Sequence, residues 1–395
     1  MMTLRLVRCA PQNRLNTLAS LVLTGVVSLL HSVTVMAEIP NPVISRNVPA
    51  FALNGSSPSA ANDASYATEW RSNGQPSWIA YDLSGVPSAQ RQQILVAWHN
   101  NSGGYYDVTV IAAPQYNYPG PYVIEGNPAP GGGSAPASGW VVLATSPNPQ
   151  NYRNNQHYIP NFGGNNWLRF RTTASNPNND SGNADISINL DVHDVHLGVH
   201  DSWMFYGDSI TYNCWDPGTF APLINAAQPT FFPAVSMGGV PFLKSSDAIP
   251  LFPRWLPLFP GSYVGISYGT NDAGGATPSQ FYASMKNLAD QVIAAGKHPV
   301  IPSIPWATAA QRSDSDIRAL NAQIVQLKAD YHGQILDGPD LYSVFQNRSD
   351  LLGDGLHPNA AGNVLMRKAW ADKMLVVVYG VTTKLPEAPT ALQIN

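Results

Sequence analysis

The hydrophobic pattern of the chain changes near residues 193–201. Before this stretch, short β-branched and aromatic segments alternate with turn clusters rich in Gly, Pro, Asn and Ser, which is typical of all-β structure. After it, strand-like apolar runs alternate with longer helical stretches. The runs are residues 203–206, 263–266 and 299–304, and the helical stretches are 279–295, 316–331 and 359–379. This alternation predicts a parallel sheet covered by helices, so two domains of different class are expected.

The first domain is predicted to be an all-β sandwich. Its strand-like segments are residues 78–83, 94–98, 106–111, 140–144, 167–171 and 186–190. A Gly- and Pro-rich stretch at 126–138 is interpreted as a long exposed loop. Charged residues make up only 12% of the chain, which also contains 32 Gly and 34 Pro. This composition favours short strands joined by turns over helices lined with salt bridges.

The first 37 residues have the pattern of a secretory signal peptide. Arg5, Arg8 and Arg14 precede an apolar stretch at 18–30, and a cleavage site is expected after Ala37. The apolar stretch is shorter than the roughly 20 residues of a membrane-spanning helix, and no later segment is long enough either. We therefore expect an exported protein, secreted or periplasmic, without a membrane span.

Charge and cysteine content argue against a nucleic-acid-binding protein and against a protein held together by disulfides. The formal net charge is −4, and loss of a signal peptide with three basic and no acidic residues makes it more negative, which disfavours a nucleic-acid partner. Cys9 lies in the signal peptide and Cys214 remains alone, so no internal disulfide is expected. Cys214 is interpreted as a small buried side chain and not as a redox thiol.

Two short motifs supply a hydroxyl, an imidazole and a carboxylate, three of the groups that acyl transfer requires. Ser209 lies in Gly-Asp-Ser-Ile-Thr at 207–211, directly after the first strand of the second domain. Its hydroxyl is therefore expected at the carboxyl edge of the parallel sheet, where such folds bind ligands. Asp354 and His357 lie in Asp-Gly-Leu-His-Pro at 354–358, a spacing that lets the carboxylate reach His357 Nδ1 within one loop.

These motifs, together with Gly-Thr-Asn-Asp at 269–272, resemble three blocks of the SGNH (GDSL) hydrolase family and occur in the family's order. A further block, Ala-Val-Ser-Met-Gly-Gly at 234–239, has Ala234 where the family usually has Asn. Its spacing places Gly239, in preference to Gly238, at the oxyanion glycine. The resemblance covers roughly residues 203–379.

The resemblance implies a three-layer α/β/α, flavodoxin-like fold and a serine esterase that needs no metal or organic cofactor. The implied catalytic triad is Ser209, His357 and Asp354. The implied oxyanion hole consists of the main-chain N–H groups of Ser209 and Gly239 and the side-chain amide of Asn271.

A competing nucleophile is Ser267, because Gly-Ile-Ser-Tyr-Gly at 265–269 matches the G-x-S-x-G elbow of α/β-hydrolases. That elbow requires a helix immediately after the serine. The sequence after Ser267 is loop-like until about Pro278, so Ser267 is interpreted as a small residue that ends a buried strand.

An Asp- and His-rich stretch at the domain boundary invites a metal-site interpretation. Its members are Asp191, His193, Asp194, His196, His200 and Asp201. Strand-like alternation places Asp191 and His193 on one polar face, but no Cys or Glu completes a site. A solvated linker is therefore favoured over a metal site.

The first domain has its own resemblance. Asp-Ala-Ser-Tyr-Ala-Thr-Glu-Trp at 63–70, Trp-Ile-Ala-Tyr-Asp-Leu at 78–83 and Trp-Leu-Arg-Phe at 167–170 resemble discoidin-type, galactose-binding-like jelly rolls. The quoted residues belong to the core of that fold, so they indicate the fold and not a ligand. Loops carrying Tyr116, Tyr118 and Tyr122 are candidates for stacking on sugars, although no sugar-binding residue is assigned.

The predicted order of segments is a signal peptide at 1–37, a β-sandwich at 38–192, a linker at 193–202, a hydrolase domain at 203–382 and a tail at 383–395. The tail resembles the opening of a fibronectin type III module and is a candidate start of a further domain. The predicted function is a secreted serine esterase acting on short-chain, chiefly O-acetyl, esters of a polysaccharide. The alternatives are a lipase or arylesterase on free small esters, and a carbohydrate-binding protein with an inactive hydrolase domain.

Overall fold

The computed structural model describes residues 38–100, 105–111, 117–176, 185–214 and 217–381. The predicted signal peptide and C-terminal tail lie outside these residues, as do Cys9, Tyr116 and the side chain of Cys214. Among the described residues, no helix combines the length and the apolar character needed to cross a bilayer.

The region up to residue 194 is rich in strands. They are β1 (Ala50–Ala52), β2 (Trp70–Arg71), β3 (Trp78–Asp82), β4 (Ile94–His99), β5 (Tyr122–Asn127), β6 (Val141–Thr145), β7 (Asn154–Ile159), β8 (Trp167–Thr172) and β9 (Ser187–Asp194). One sheet has the order β1-β3-β8-β5-β6 and the other the order β2-β9-β4-β7. All their pairings are antiparallel, which confirms a β-rich first region.

Strand β4 is buried on both faces. Side chains alternate between the two faces of a strand, so β4 serves two different cores. Ile94 and Val96 join the apolar cluster between the two sheets. Leu95 and Ala97 join a separate cluster with Ala234, which belongs to the second domain.

The region from residue 202 onward alternates strands and helices, as predicted. Its strands are β10 (Ser202–Gly207), β11 (Ala234–Gly239), β12 (Tyr263–Ser267), β13 (His298–Ile301) and β14 (Leu336–Asp337). The helices are α1 (Ser209–Cys214), α2 (Pro217–Ala227), α3 (Ser245–Ala248), α4 (Phe252–Trp255), α5 (Pro278–Ala294), α6 (Asp314–Asp330), α7 (Leu341–Phe345) and α8 (Ala360–Val377). The sheet is parallel, with the order β11-β10-β12-β13-β14.

Both faces of this parallel sheet are covered, which gives three layers. Met204 and Tyr206 of β10 belong to the cluster on one face, whereas Trp203 and Phe205 belong to the cluster on the other. The strand order reverses beside β10, and in open α/β sheets ligands bind beyond the carboxyl ends of the strands at such a point. The fold therefore places Ser209, which follows β10, at the expected binding edge.

The prediction of a strand at residues 106–111 is wrong. The described residues 105–111 form a turn, and their strand-type pairing is a single bridge between Asp107 and Tyr152. The Asp107 carboxylate accepts hydrogen bonds from the main-chain N–H and the hydroxyl of Thr109, at 3.0 and 2.7 Å, and so bends the chain. Tyr106 is buried in the core of the second domain, which explains why an apolar residue occupies this turn.

The solvated linker expected at 193–202 is wrong at its two ends, where the residues are buried. Strand β9 continues to Asp194, and His193 and Asp201 are buried. Asp201 accepts a hydrogen bond from the Tyr379 hydroxyl at 2.6 Å. Residues 193–195 and 201–202 are buried, whereas His196 and Leu197 between them are exposed. The sequence pattern does not reveal that the two ends of the stretch are covered.

Polar side chains of β7 form part of that interface. Asn154 Nδ2 donates to the carbonyl of Met237 at 2.7 Å. Gln156 Nε2 donates to Ser236 Oγ at 3.0 Å, and its Oε1 accepts from Ser202 Oγ. The sequence analysis missed this strand because Asn154 and Gln156 face a polar interface and not water.

Asp107 is a buried residue of the first domain that makes an ionic contact with the second. Its carboxylate accepts a hydrogen bond from Trp255 Nε1 at 2.7 Å and pairs with Arg254 Nη2 at 2.7 Å, both in α4. We expect Asp107→Ala to lower the free energy of unfolding by about 2–4 kcal/mol, because the buried indole N–H loses its partner. Urea denaturation of both proteins measures this difference.

The matched control is Asp350→Ala, which removes a surface pair with Arg348 whose two side chains are both exposed. Its effect should be within about 0.5 kcal/mol, as for most exposed pairs. Equal destabilisation by the two substitutions would contradict a structural role for Asp107 at the interface.

Candidate active site

Ser209 is the first residue of α1 and follows β10 after a turn of one residue. Gly207 ends the strand, and a Cβ atom there would lie 2.0 Å from Thr211 Oγ1 and 2.8 Å from the carbonyl oxygen of Ser267. Only glycine fits this position, so the strand and helix can approach closely. The Ser209 side chain is consequently presented, half-buried, at the carboxyl edge of the sheet, where the sequence predicted it.

The imidazole of His357 lies between Ser209 and Asp354. His357 Nε2 is 2.8 Å from Ser209 Oγ. His357 Nδ1 is 2.8 Å from Asp354 Oδ2. Ser209 and His357 are 148 positions apart in the chain, so the fold brings the two motifs together.

The loop carrying Asp354 and His357 is fixed by its own hydrogen bonds. Asp354 Oδ1 accepts from the main-chain N–H groups of His357 and Leu356, at 2.8 and 2.9 Å. Gly355 has a φ of +84°, a conformation that favours glycine. Its carbonyl accepts from the main-chain N–H of Thr308 at 2.8 Å. The spacing of three residues therefore works as predicted, through a tight and anchored turn.

Asp354 is held in its ionised form. Hydrogen bonds from the main-chain N–H and the imidazole of His357 hold the pKa of Asp354 well below its ordinary value. A carboxylate can only accept hydrogen bonds, so the proton of a neutral His357 is assigned to Nδ1. This tautomer leaves a lone pair on Nε2, directed at the Ser209 hydroxyl.

Asn271 lies in the turn after β12. Its Oδ1 is 3.4 Å from Arg312 Nη2, a cationic donor, which assigns the opposite end of the amide as the NH₂ group. One N–H of that group donates to the carbonyl of Leu243 at 3.2 Å, and the amide has a second N–H. Arg312 was missed by the sequence analysis, because it is 41 positions from Asn271 and lies in no motif.

Gly239 ends β11 and packs on α1. A Cβ atom at Gly239 would lie 2.3 Å from the main-chain nitrogen of Tyr212, whereas one at Gly238 would meet the ring of Tyr206. Gly239 is therefore the glycine that faces the helix of Ser209. Its carbonyl accepts a hydrogen bond from the main-chain N–H of Tyr106 at 3.2 Å, so the first domain touches this site directly.

Asn271→Ala tests the amide as an oxyanion donor. We expect kcat to fall by about 100- to 1,000-fold, the usual effect of losing one preorganised donor. Steady-state kinetics on a short-chain chromogenic ester measures the change. Asn225→Ala is the control, because Asn225 lies on helix α2 and its amide donates to the nearby carbonyls of Pro229 and Phe231. It should change kcat by less than about threefold. A similarly small change for Asn271→Ala would remove Asn271 from this role.

Asp208 is a buried carboxylic acid next to the nucleophile. Its Oδ1 accepts from the main-chain N–H of Ile210 at 2.9 Å. Its Oδ2 is buried and has no hydrogen-bond partner among the described residues. Burial raises the pKa of Asp208 to about 7. The motif contained this residue, but the sequence alone gave it no role.

The raised pKa of Asp208 predicts a dependence of stability on pH. Asp208 binds its proton more tightly in the folded state than in the unfolded state, where the pKa of Asp is about 3.9. Protonation of Asp208 therefore stabilises the fold at low pH, and this stabilisation is lost as the pH rises to about 7. The stability of Asp208→Asn relative to wild type should therefore increase between about pH 4 and pH 7, by up to about 4 kcal/mol, and level off above.

Urea denaturation at several pH values measures this difference. The control is Asp350→Asn, which alters a carboxylate on the surface. It should show no gain with rising pH. A pH-independent difference for Asp208→Asn would mean that Asp208 has an ordinary pKa in the folded protein.

Ser267 does not have the surroundings of a nucleophile. It ends β12, and the next helix, α5, begins only at Pro278 behind the N-cap Thr277. Its Oγ atom is buried and has no hydrogen-bond partner among the described residues. Neither a base nor the helix of a nucleophile elbow is therefore present at Ser267.

The Asp- and His-rich stretch does not converge on one point. Asp191 contacts Arg46 at 3.1 Å, His193 Nδ1 is 2.9 Å from the carbonyl of Asn41, and Asp194 is 2.6 Å from His196. In the described part of the chain, no three His, Cys, Asp or Glu side chains are grouped as a metal ion would require.

Two of the three tyrosines considered for sugar stacking are not exposed, and the third, Tyr116, lies outside the described residues. Tyr118 and Tyr122 are buried, at 0% and 1% exposure, and Tyr122 stacks on Phe170 with ring centroids 4.5 Å apart. The expectation that these two residues lie on open loops is wrong, because both side chains are buried and Tyr122 belongs to the core of the first domain.

Comparison with known proteins gives a family for the second domain. Residues 205–365 match the GDSL-like Lipase/Acylhydrolase family. This range contains Ser209, Gly239, Asn271, Asp354 and His357. No curated protein matches the chain.

Several solved structures are similar to the second domain. A lipase/acylhydrolase from Enterococcus faecalis is 21% identical with a TM-score of 0.37, over 44% of this chain and 94% of that one. An acetylxylan esterase from Geobacillus stearothermophilus is 16% identical with a TM-score of 0.37, over 44% and 94%. A carbohydrate esterase family 3 protein from Talaromyces cellulolyticus is 21% identical with a TM-score of 0.39, over 46% and 99%.

Because these identities and TM-scores are low, the activity is assigned from the family match. The C-terminal part of the chain is a GDSL-like lipase/acylhydrolase domain, and the protein is a carboxylic ester hydrolase.

Proposed function

We propose that the protein is an exported serine esterase that removes short acyl groups, chiefly O-acetyl groups, from a polysaccharide. The observation that carries the mechanism is the continuous chain of contacts from Ser209 Oγ through His357 to Asp354, with both distances at 2.8 Å. We assign Ser209 as nucleophile, His357 as general base and then general acid, and Asp354 as the residue that orients the imidazole.

In the first half of the reaction, Ser209 Oγ forms a bond to the ester carbonyl carbon while its proton passes to His357 Nε2. The bond from that carbon to the alcohol oxygen then breaks, and Nε2 returns the proton to the leaving alcohol. An acyl group remains on Ser209. In the second half, water attacks this acyl group, Nε2 takes a proton from the water, and the carboxylic acid leaves as the Ser209 hydroxyl is restored.

Negative charge develops on the carbonyl oxygen in both halves. We assign three donors to it: the main-chain N–H groups of Ser209 and Gly239 and the Asn271 amide. Ser209 begins a helix, Gly239 packs against that helix, and Asn271 is oriented by Arg312. Donors that are fixed before the reaction stabilise the oxyanion without reorganisation, which is usually the largest single catalytic contribution.

The polysaccharide assignment rests on the combination of two domains. An antiparallel, strand-rich region precedes the hydrolase domain, and its sequence resembles galactose-binding-like jelly rolls. We propose that this region has that fold and that the chain is exported by residues 1–37. An acetylated polysaccharide outside the cell is then the substrate class that both domains suit.

Release of acetate from a panel of acetylated polysaccharides by the purified protein tests the proposal, with Ser209→Ala as the blank. Acetate release that depends on Ser209 supports it. Hydrolysis of free small esters, with no release from any polysaccharide, would instead favour a lipase or arylesterase. Binding of polysaccharide without any hydrolysis would favour a carbohydrate-binding protein with an inactive hydrolase domain.

A further inference from the structure

Phe242 is an aromatic residue in an unusual position. It is 72% exposed, the largest exposed fraction among the large hydrophobic side chains that the structure describes. Its φ is +67°, in the left-handed region that residues with a bulky side chain rarely adopt. Such backbone strain tends to be kept at functional sites, where the surrounding structure imposes it.

The loop that carries Phe242 is held at both ends by the active site. On one side, the main-chain N–H of Val240 donates to the carbonyl of Gly207 at 2.9 Å. On the other side, the carbonyl of Leu243 accepts from Asn271 Nδ2 at 3.2 Å. Val240 and Leu243 are themselves buried. The loop is therefore anchored, and Phe242 points out of it towards solvent.

Phe242 must lie near the oxyanion hole. It is three residues after Gly239, so at most about 11 Å of chain separates the two. The next residue is the one whose carbonyl contacts Asn271. The backbone of Phe242 therefore lies close to two of the three groups assigned to the oxyanion, Gly239 and Asn271.

Folding does not account for this arrangement. An exposed ring gains little from burial, and the left-handed backbone is unfavourable for phenylalanine. Binding a substrate would account for it, since the ring would then be covered. Because the loop is already anchored, little conformational entropy is lost when the substrate binds, and this favours affinity.

We propose that Phe242 is a platform for the sugar ring that bears the ester, so that this ring stacks on it while the carbonyl occupies the oxyanion hole. The inference rests on the proposed function and specifies how the leaving alcohol is held. A sugar ring has a flat apolar face and a hydroxyl rim, so it suits an aromatic surface that remains at the edge of water. A long acyl chain gains chiefly from complete removal from water, which an exposed ring cannot provide.

The test compares two acetate esters, glucose pentaacetate and methyl acetate, of which only the first has a sugar ring. The measured quantity is the ratio of kcat/KM for glucose pentaacetate to kcat/KM for methyl acetate. We expect Phe242→Ala to lower this ratio by at least about tenfold, mainly through KM for the sugar ester. Phe242→Trp, which keeps a flat ring, should retain the ratio within about threefold, whereas Phe242→Leu should lose most of it.

The matched control is Val325→Ala, which truncates another exposed hydrophobic side chain, 66% exposed and on helix α6. It should leave the ratio unchanged. An unchanged ratio for Phe242→Ala overturns the proposal. If the melting temperature falls while the ratio is unchanged, the role of Phe242 is structural. Weaker hydrolysis of ethyl octanoate in place of the sugar ester also overturns the proposal and indicates an acyl-chain site.

Failure of this inference can be told apart from failure of the proposed function. If wild type releases acetate from polysaccharides but Phe242→Ala keeps its selectivity, only the inference fails. If wild type releases none from any polysaccharide and does not prefer glucose pentaacetate over methyl acetate, both fail.

Discussion

Ser209→Ala is expected to lower kcat for a short-chain chromogenic ester by at least about 10⁴-fold, to the background of the assay. The substitution removes the atom that would form the acyl-enzyme, while His357 and Asp354 keep their contact. Activity is measured with the purified variant at high enzyme concentration, and circular dichroism checks its fold. Because loss of any one member of such a triad is nearly as severe as loss of all, further substitutions should add little.

The matched control is Ser267→Ala. Ser267 also ends a strand of the parallel sheet, but its hydroxyl is buried without a partner among the described residues. This variant should keep activity within about threefold of wild type, since its substitution removes a single buried hydroxyl. Equal loss in the two variants, with both folded, would reinstate the nucleophile-elbow interpretation.

The second large effect is expected for Asp354→Asn, which should lower kcat by about 10⁴-fold, as replacement of the orienting carboxylate does in serine hydrolases. The amide can present an N–H to His357 Nδ1, which favours the tautomer with its proton on Nε2. That proton faces Ser209 Oγ, and the imidazole can no longer act as a base. Kinetics with the same ester measures the loss.

The control is Asp350→Asn. Asp350 is four residues before Asp354 and also exposed, but it pairs with Arg348 on the surface. Its substitution should change kcat by less than about twofold, because it touches none of the assigned groups. If Asp354→Asn lost less than tenfold, Asp354 would not be the residue that orients His357.

Local motifs in the sequence predicted the positions of the site residues well. Ser209 is placed by one strand and one turn, and Asp354 reaches His357 within a single loop. Both arrangements depend on neighbours in the chain, so a short motif is sufficient to indicate them. The roles of these residues remain predictions until the variants are measured.

Contacts between residues far apart in the chain could not be predicted in the same way. Tyr106 was assigned to a strand, yet it leaves the first domain to enter the core of the second. Asp201 was expected in a solvated linker, yet it is buried against Tyr379. Such contacts join residues more than a hundred positions apart. The alternation of apolar and polar residues along a strand shows that one face is buried, but it does not show which residues cover that face.

The two buried faces of β4 have a consequence for protein engineering. Leu95 and Ala97 would be exposed if the esterase domain were removed, and Ala234 would be exposed if the sandwich were removed. The two domains therefore should not behave as independent modules joined by a flexible linker. Transferring the esterase to a new partner domain would require redesign of the surface around β11, where the hydrogen bond from Tyr106 to Gly239 would also need a replacement.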